Sequence, residues 1–322
     1  MLPEGTPSAE AIRTAAARIS GQVHRTPILT SRTLDELTGR HVLLKCENLQ
    51  KVGAFKARGA CNAVLALSAA EAARGVVTHS SGNHAQALAW AARSRGIPAR
   101  IVMPRTAPQV KVAAVRGYGA EITFCEPTLE ARTRTAAAII ASTGATMVHP
   151  YDNAMVIAGQ ATCAMEIIEA AEQPDLIICP VGGGGLTSGT ALAARYFGHG
   201  VRVVAAEPAG ADDAWRSFQS GTLIPQTSPN TIADGLLTSL CPLTFGIIMD
   251  AVAGIVTVSE AAIIAAMRLL WERCKLVVEP SGAVPLAALL EGRDLPKGDT
   301  VAVILSGGNV DLGALPWNRS DP

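Results

Sequence analysis

Short apolar runs rich in Val, Ile and Leu alternate along this chain with longer Ala-rich stretches in which apolar positions recur at helical spacing. Such alternation marks parallel strands joined by helical crossovers. Strands are predicted at 42–46, 76–79, 100–103, 121–124, 175–179, 201–206 and 300–305. Helices are predicted at 57–68, 83–95, 108–117, 129–143, 155–172, 185–197 and 259–273. The fold class is therefore α/β. Three strand–helix units follow in quick succession within 75–146, and their helices carry many Arg and Lys, as a smaller and more solvated lobe would. A chain of 322 residues exceeds the size at which single cores stop growing. We expect a large domain, 1–74 and 147–322, with a small domain, 75–146, inserted into it and the active site in the cleft between them. The tail after Leu315 is expected to fray.

Composition narrows the partners. Apolar residues make up 49% of the chain and charged ones 17%, with Lys+Arg and Asp+Glu balanced at 27 each. No net charge means no electrostatic footprint for nucleic acid or an anionic membrane. A small-molecule partner is expected instead. The start of the chain lacks a basic segment followed by an apolar one, so no signal peptide is read and a cytoplasmic location is expected. No apolar run reaches membrane-spanning length. The seven cysteines form no Cys-x-x-Cys pair and their number is odd, which reads as free thiols in a reducing compartment.

Four segments carry candidate chemistry. Lys51-Val-Gly-Ala-Phe-Lys56-Ala-Arg-Gly59 places a lysine in a small-residue turn where a helix begins. Taken alone, Lys56 would be an ordinary exposed lysine; apolar neighbours such as Phe55 would desolvate it and favour the reactive neutral amine. Gly182-Gly183-Gly184-Gly185-Leu186 lies between a predicted strand and a predicted helix, where backbone N–H groups can converge on an anion. It has neither the Gly-x-Gly-x-x-Gly spacing of dinucleotide sites nor the Gly-Lys-Ser/Thr ending of a P-loop, and it reads as a phosphate cup in preference to a flexible loop. Ser80-Ser81-Gly82-Asn83-His84 opens another predicted helix after a strand, with more donors than a simple N-cap needs; it suits a substrate carboxylate. Ser306-Gly-Gly-Asn309 follows the strand 300–305, at the strand end where open α/β sheets bind ligands.

In these motifs and their order, from about residue 20 to 312, the chain resembles the fold-type II pyridoxal-phosphate enzymes of the serine racemase and serine/threonine dehydratase branch. The resemblance implies two open, twisted, mostly parallel sheets with flanking helices, and a homodimer. It implies that Lys56 is the Schiff-base lysine, that Phe55 packs against the cofactor ring, and that Asn83 bonds the ring hydroxyl. Gly182, Gly183, Gly184, Gly185 and Leu186 would hold the phosphate, and Ser306 the ring nitrogen. A serine there leaves the ring neutral and favours expulsion of a β-hydroxyl over transamination. Ser80, Ser81, Asn83 and His84 would bind the substrate, with Ser81 as the second acid/base that racemisation requires. Glu207, the Ala211 carbonyl and Asp213 would bind Mg²⁺, Mn²⁺ or Ca²⁺; without the resemblance, two such acids read as a solvated helix cap.

The expected reaction is β-elimination, with racemisation beside it, on L-serine or L-threonine, giving pyruvate or 2-oxobutyrate and ammonia. The alternative is a threo-3-hydroxyaspartate ammonia-lyase giving oxaloacetate, if Arg132 points inward to read a second carboxylate. More distant alternatives are a ligand sensor without turnover and a β-replacement synthase. Tyr151-Asp-Asn and Ala161 depart from the racemase pattern near the pocket.

Overall fold

The structure, a computed structural model, describes residues 1–107, 109–170, 172–292 and 294–318, without the side chain of Val110. Ten strands build two sheets. The first contains β1 (Ile28–Thr30), β2 (His41–Cys46), β7 (Leu176–Pro180), β8 (Arg202–Pro208), β9 (Gly254–Val258) and β10 (Thr300–Leu305), in the spatial order β1-β2-β10-β7-β8-β9. The second contains β3 (Val76–His79), β4 (Ala99–Pro104), β5 (Glu121–Cys125) and β6 (Thr146–Met147), ordered β5-β4-β3-β6. All pairings are parallel except β1 with β2. The chain is thus an α/β protein with two open, mostly parallel sheets.

The continuous apolar runs are explained by burial on both faces. In β10, Val301, Val303 and Leu305 enter one core while Ala302 and Ile304 enter the opposite one. In β7, Leu176 and Ile178 face the first core and Ile177 and Cys179 the second. The smaller sheet repeats the arrangement, Val76, Ile101 and Met103 on one side and Val77 and Val102 on the other.

All seven predicted strands form, with ends within two residues of expectation. Pro108 of the predicted helix 108–117 and Ala171 of 155–172 lie outside the described residues; the observed helices are Gln109–Gly117 and Ala154–Ile168. The expectation of a frayed tail is corrected for its first residues. Pro316–Asn318 form a short 3₁₀ turn, and Trp317 meets Trp271 edge to face with ring centroids 5.3 Å apart, an apolar contact that anchors the chain. Residues 319–322 lie outside the described residues. All seven cysteines are free, and among the described residues no helix is long and apolar enough to cross a membrane.

Two features fix the helix Lys56–Ala66. It crosses the helix Ala154–Ile168 at glycines: a Cβ on Gly159 would lie 2.6 Å from the Cα of Gly59, so no larger residue lets the two backbones approach this closely. Beside that crossing lies a buried ion cluster. Arg58, fully buried, donates to Glu47 at 2.7 and 2.8 Å and to Glu166 at 2.6 and 2.9 Å, and Lys45 donates to Glu166 at 2.6 Å. Two cations facing two carboxylates leave no uncompensated charge, the condition under which buried ions are tolerated. The cluster sits two residues along the helix from Lys56 and holds its first turn in place.

Candidate active site

Strand order brings the predicted segments together. β2, β10 and β7 are neighbours, so the loops leaving their C-terminal ends, with Lys56, Ser306 and Gly182–Gly185, are neighbours too. The first two are stitched by their backbones. The Phe55 N–H donates to the Ser306 carbonyl at 3.0 Å, and the Gly308 N–H to the Gly53 carbonyl at 2.9 Å. Lys56 is the first residue of its helix, and its Nζ donates to the Pro150 carbonyl at 3.0 Å and lies 5.1 Å from the centre of the Phe55 ring. Desolvation lowers its pKa to about 8, which brings the free amine within reach near neutral pH.

The glycine loop opens the helix Gly185–Phe197, whose first N–H groups have no partners within the helix. Gly184 takes φ +85°, and a Cβ there would lie 2.7 Å from Leu240 and 2.8 Å from Thr244. A side chain on Gly183 would strike the ring of Tyr151. The loop is therefore a fitted cup, held by Tyr151 on one side and by Thr244, whose hydroxyl donates to the Gly183 carbonyl at 3.0 Å, on another. Leu186, buried, follows it into the core.

From the smaller sheet, the end of β3 supplies Ser80 to His84. The helix Asn83–Arg95 is capped by Gly82 with no side-chain bond, so neither serine acts as an N-cap. The Ser80 hydroxyl accepts from the Gly82 N–H at 3.3 Å, and the Ser81 hydroxyl has no hydrogen bond among the described residues. His84 is buried, its Nε2 2.9 Å from the Val148 carbonyl and its Nδ1 without a partner among the described residues, and burial pushes its pKa down to about 3. Asn83 joins the two halves of the site: its Nδ2 donates to Glu279 at 2.8 Å, and its Oδ1 accepts from Asn309 at 2.9 Å.

Glu279 was not singled out from the sequence. It is buried, receives the Asn83 amide and the Asn309 N–H (3.1 Å), and donates its own N–H to the Gly307 carbonyl at 3.0 Å. Burial, with repulsion from Asp234 next, pushes its pKa from 4.5 up to about 8. Between those values the folded protein binds more protons than the unfolded chain, so this carboxyl's stabilising contribution is complete below about pH 4.5 and is lost as pH rises through about 8. A Glu279→Gln variant, which cannot ionise, should be the less stable protein at pH 5 and close the gap in melting temperature by pH 8. A gap that does not change with pH would show that Glu279 titrates normally.

A row of rings connects the end of β3 to the glycine cup. His79, the last residue of β3, meets His149 edge to face at 5.4 Å, and His149 meets Tyr151 at 4.7 Å. Burial, with His79 next, lowers the pKa of His149 to about 4; burial and then the Arg132 charge lower that of His79. Arg132 is half-buried, and its Nε is buried without a hydrogen-bond partner among the described residues. It is not the solvated helix arginine that its place on Leu129–Thr143 would suggest.

Glu207 is the penultimate residue of β8, and Ala211 and Asp213 follow just after the strand ends. Both acids are 1% exposed. Glu207 accepts from the N–H groups of Ala214 and Trp215 at 3.0 and 2.8 Å, so it does cap the helix Asp213–Ser220, but from a buried position rather than a solvated one. Burial raises its pKa to about 9 and that of Asp213 to about 6, and Asp213 Oδ2 has no partner among the described residues. Among the described residues no three acidic, His or Cys side chains gather as a metal site, so a cation here would need the Ala211 carbonyl and water.

Comparison with known proteins matches these features to a family. Residues 19–307 match the pyridoxal-phosphate dependent enzymes. A β-hydroxyaspartate dehydratase of Paracoccus denitrificans is 51% identical over 97% of this chain and 99% of its own length. The serine racemase of Dictyostelium discoideum is 48% identical over 98% of each. The structure of maize serine racemase superposes with a TM-score of 0.94 at 45% identity, over 97% of this chain and 96% of that one. With a desolvated lysine, a fitted glycine cup and two open parallel sheets already in place, the chain belongs to the fold-type II pyridoxal-phosphate dependent enzymes, in their serine racemase and dehydratase group.

Proposed function

We propose that this enzyme is a 3-hydroxyaspartate ammonia-lyase that converts the threo substrate to oxaloacetate and ammonia. Pyridoxal phosphate, when bound, supplies the electron sink that lets the Cα–H bond ionise. Gly182 to Gly185 and Leu186 would hold its phosphate through backbone N–H groups, Asn83 would hold its ring hydroxyl, Ser306 its ring nitrogen, and Phe55 would pack on its face. Lys56 would hold it and would take the Cα proton. Water is lost across Cα–Cβ, and the enamine released takes up water to give the keto acid and ammonia. The first turn of the helix Asn83–Arg95, with Ser80, Ser81 and the backbone of His84, binds the α-carboxylate.

The observation that supports this substrate is the half-buried Arg132 guanidinium, with an unpartnered Nε, beside the strand end that carries Ser80 and Ser81. A half-buried cation with open donors fits a second carboxylate and has no use for the methyl of threonine or the hydrogen of serine. This places hydroxyaspartate ahead of the serine and threonine first expected. The Ser81 hydroxyl, with no bond among the described residues, supports a second acid/base and hence racemisation as an accompanying activity. Glu207, the Ala211 carbonyl and Asp213 would hold a Mg²⁺, Mn²⁺ or Ca²⁺ ion, for which the unpartnered Asp213 Oδ2 is the open ligand.

The test is keto-acid release from L-threo-3-hydroxyaspartate, L-serine and L-threonine side by side, with Mg²⁺ and with EDTA. The proposal expects hydroxyaspartate to have the highest kcat/KM, and EDTA to lower the melting temperature. Higher kcat/KM for serine or threonine would overturn the substrate assignment, and a melting temperature indifferent to EDTA would overturn the cation.

A further inference from the structure

His149 has no role in the assignments above, yet it stands at their centre. Its residue neighbour Pro150 offers the carbonyl that receives Lys56 Nζ at 3.0 Å. Its ring touches Tyr151, which packs on the glycine cup, and His79, which ends the strand leading to Ser80 and Ser81. The imidazole thus lies among the amine that takes the Cα proton, the cup and the carboxylate-binding turn. Its tautomer is fixed by its own turn: Nδ1 accepts the Asp152 N–H at 2.9 Å, so in the neutral ring the proton sits on Nε2. That Nε2–H has no hydrogen bond among the described residues, and the ring is only half-buried, so the donor is available to a ligand.

We propose that His149 donates a hydrogen bond through Nε2 to the β-hydroxyl of the substrate, and so selects β-hydroxy amino acids and orients the hydroxyl for departure. The groups around the ring keep it a neutral donor: desolvation and the neighbouring His79 and Lys56 oppose a second proton, against Asp152 alone. With Nδ1 occupied by the Asp152 N–H, the neutral ring keeps its one proton on Nε2, facing the substrate as a donor across the working pH range. The proposal rests on the assignment of Lys56 as the group that removes the Cα proton, but not on the identity of the side chain beyond the hydroxyl.

The test compares hydroxy substrates with β-chloro-L-alanine, whose chloride leaves without a hydrogen bond from the protein. His149→Phe keeps an aromatic edge against His79 and Tyr151 but has no donor; His149→Gln restores an N–H. The phenylalanine variant should lose about 10²-fold in kcat/KM on 3-hydroxyaspartate and serine, and less than about 5-fold on chloroalanine, with the glutamine variant recovering part of the loss. In the cofactor-free protein, ¹⁵N-histidine spectra should lose one neutral Nε2–H signal in the phenylalanine variant, and that signal should persist to pH 5.5 in the wild type. Equal losses on hydroxy and chloro substrates, no loss on either, or a His149 signal titrating near 6.5 would each overturn the proposal. A wild-type enzyme that releases no pyruvate from chloroalanine would instead remove β-elimination itself, a separate failure.

Discussion

Replacing Lys56 by Ala is expected to lower kcat by at least ~10⁴-fold on every substrate and to abolish the visible absorbance of cofactor held through that lysine. The size of the effect follows from what the amine does. It is the base for the Cα proton, and its pKa of about 8, set by desolvation, puts it near the operating pH, where a base combines availability with strength. Ser81 would face the opposite side of Cα, and neither nearby histidine is placed to substitute. His84 is turned onto the Val148 carbonyl and His149 is held neutral with its acceptor nitrogen already occupied by the Asp152 N–H. Lys56→Arg should be nearly as inactive, because a guanidinium keeps its proton. Neither variant should unfold the protein. The helix start is held by Arg58 and by the Gly59–Gly159 crossing, and alanine is a good helix former. Unchanged melting temperatures with retained activity above about 1% of wild type would show that another group removes the proton.

How much of this the sequence revealed depends on the kind of contact. The central strands were readable because each is buried on both faces, and a continuous apolar run records that directly. Of the edge strands only β5 was read. β1 is three residues long with two of them exposed, and β9 begins at Gly254 and has only Ile255 and Val258 fully buried. The helix Pro280–Glu291 was also unread, because Pro280, Gly282 and Pro285 are all signs of a break; it forms because nine of its residues are buried between sheet and neighbouring helices. Its Gly282 is required by proximity, a Cβ there falling 2.8 Å from the Gly307 carbonyl.

The site divides the same way. Lys56, the glycine cup, Ser81 and Ser306 lie in loops whose small residues announce a ligand, and the order of their strands then brings them together. Glu279 gives no such signal: an acid before a proline reads as an ordinary helix start, and its partner Asn83 is 196 residues away. The His79–His149–Tyr151 row is assembled from two chain segments by edge-to-face contact, which has no sequence period. Arg132 was visible as a candidate, but whether its guanidinium was solvated or half-buried is a property of packing alone.

That burial leads to the second large effect. Arg132→Gln should lower kcat/KM for L-threo-3-hydroxyaspartate by ~10²–10³-fold, the usual cost of removing one partner of a desolvated, hydrogen-bonded charge pair, while changing serine by less than about 3-fold. The loss should fall mainly on KM if the guanidinium grips the distal carboxylate equally throughout the reaction, since uniform binding does not alter kcat. A readout without substrate separates this from a structural role. In the free enzyme the guanidinium is half-buried with an unpartnered Nε beside His79, a cost borne by the folded state until a carboxylate arrives. The variant should therefore melt slightly higher than the wild type when substrate is absent, and a dicarboxylate such as malonate should raise the melting temperature of the wild type but not of the variant. A lower melting temperature together with equal losses on serine and hydroxyaspartate would make Arg132 a structural residue and return serine or threonine to first place as substrate.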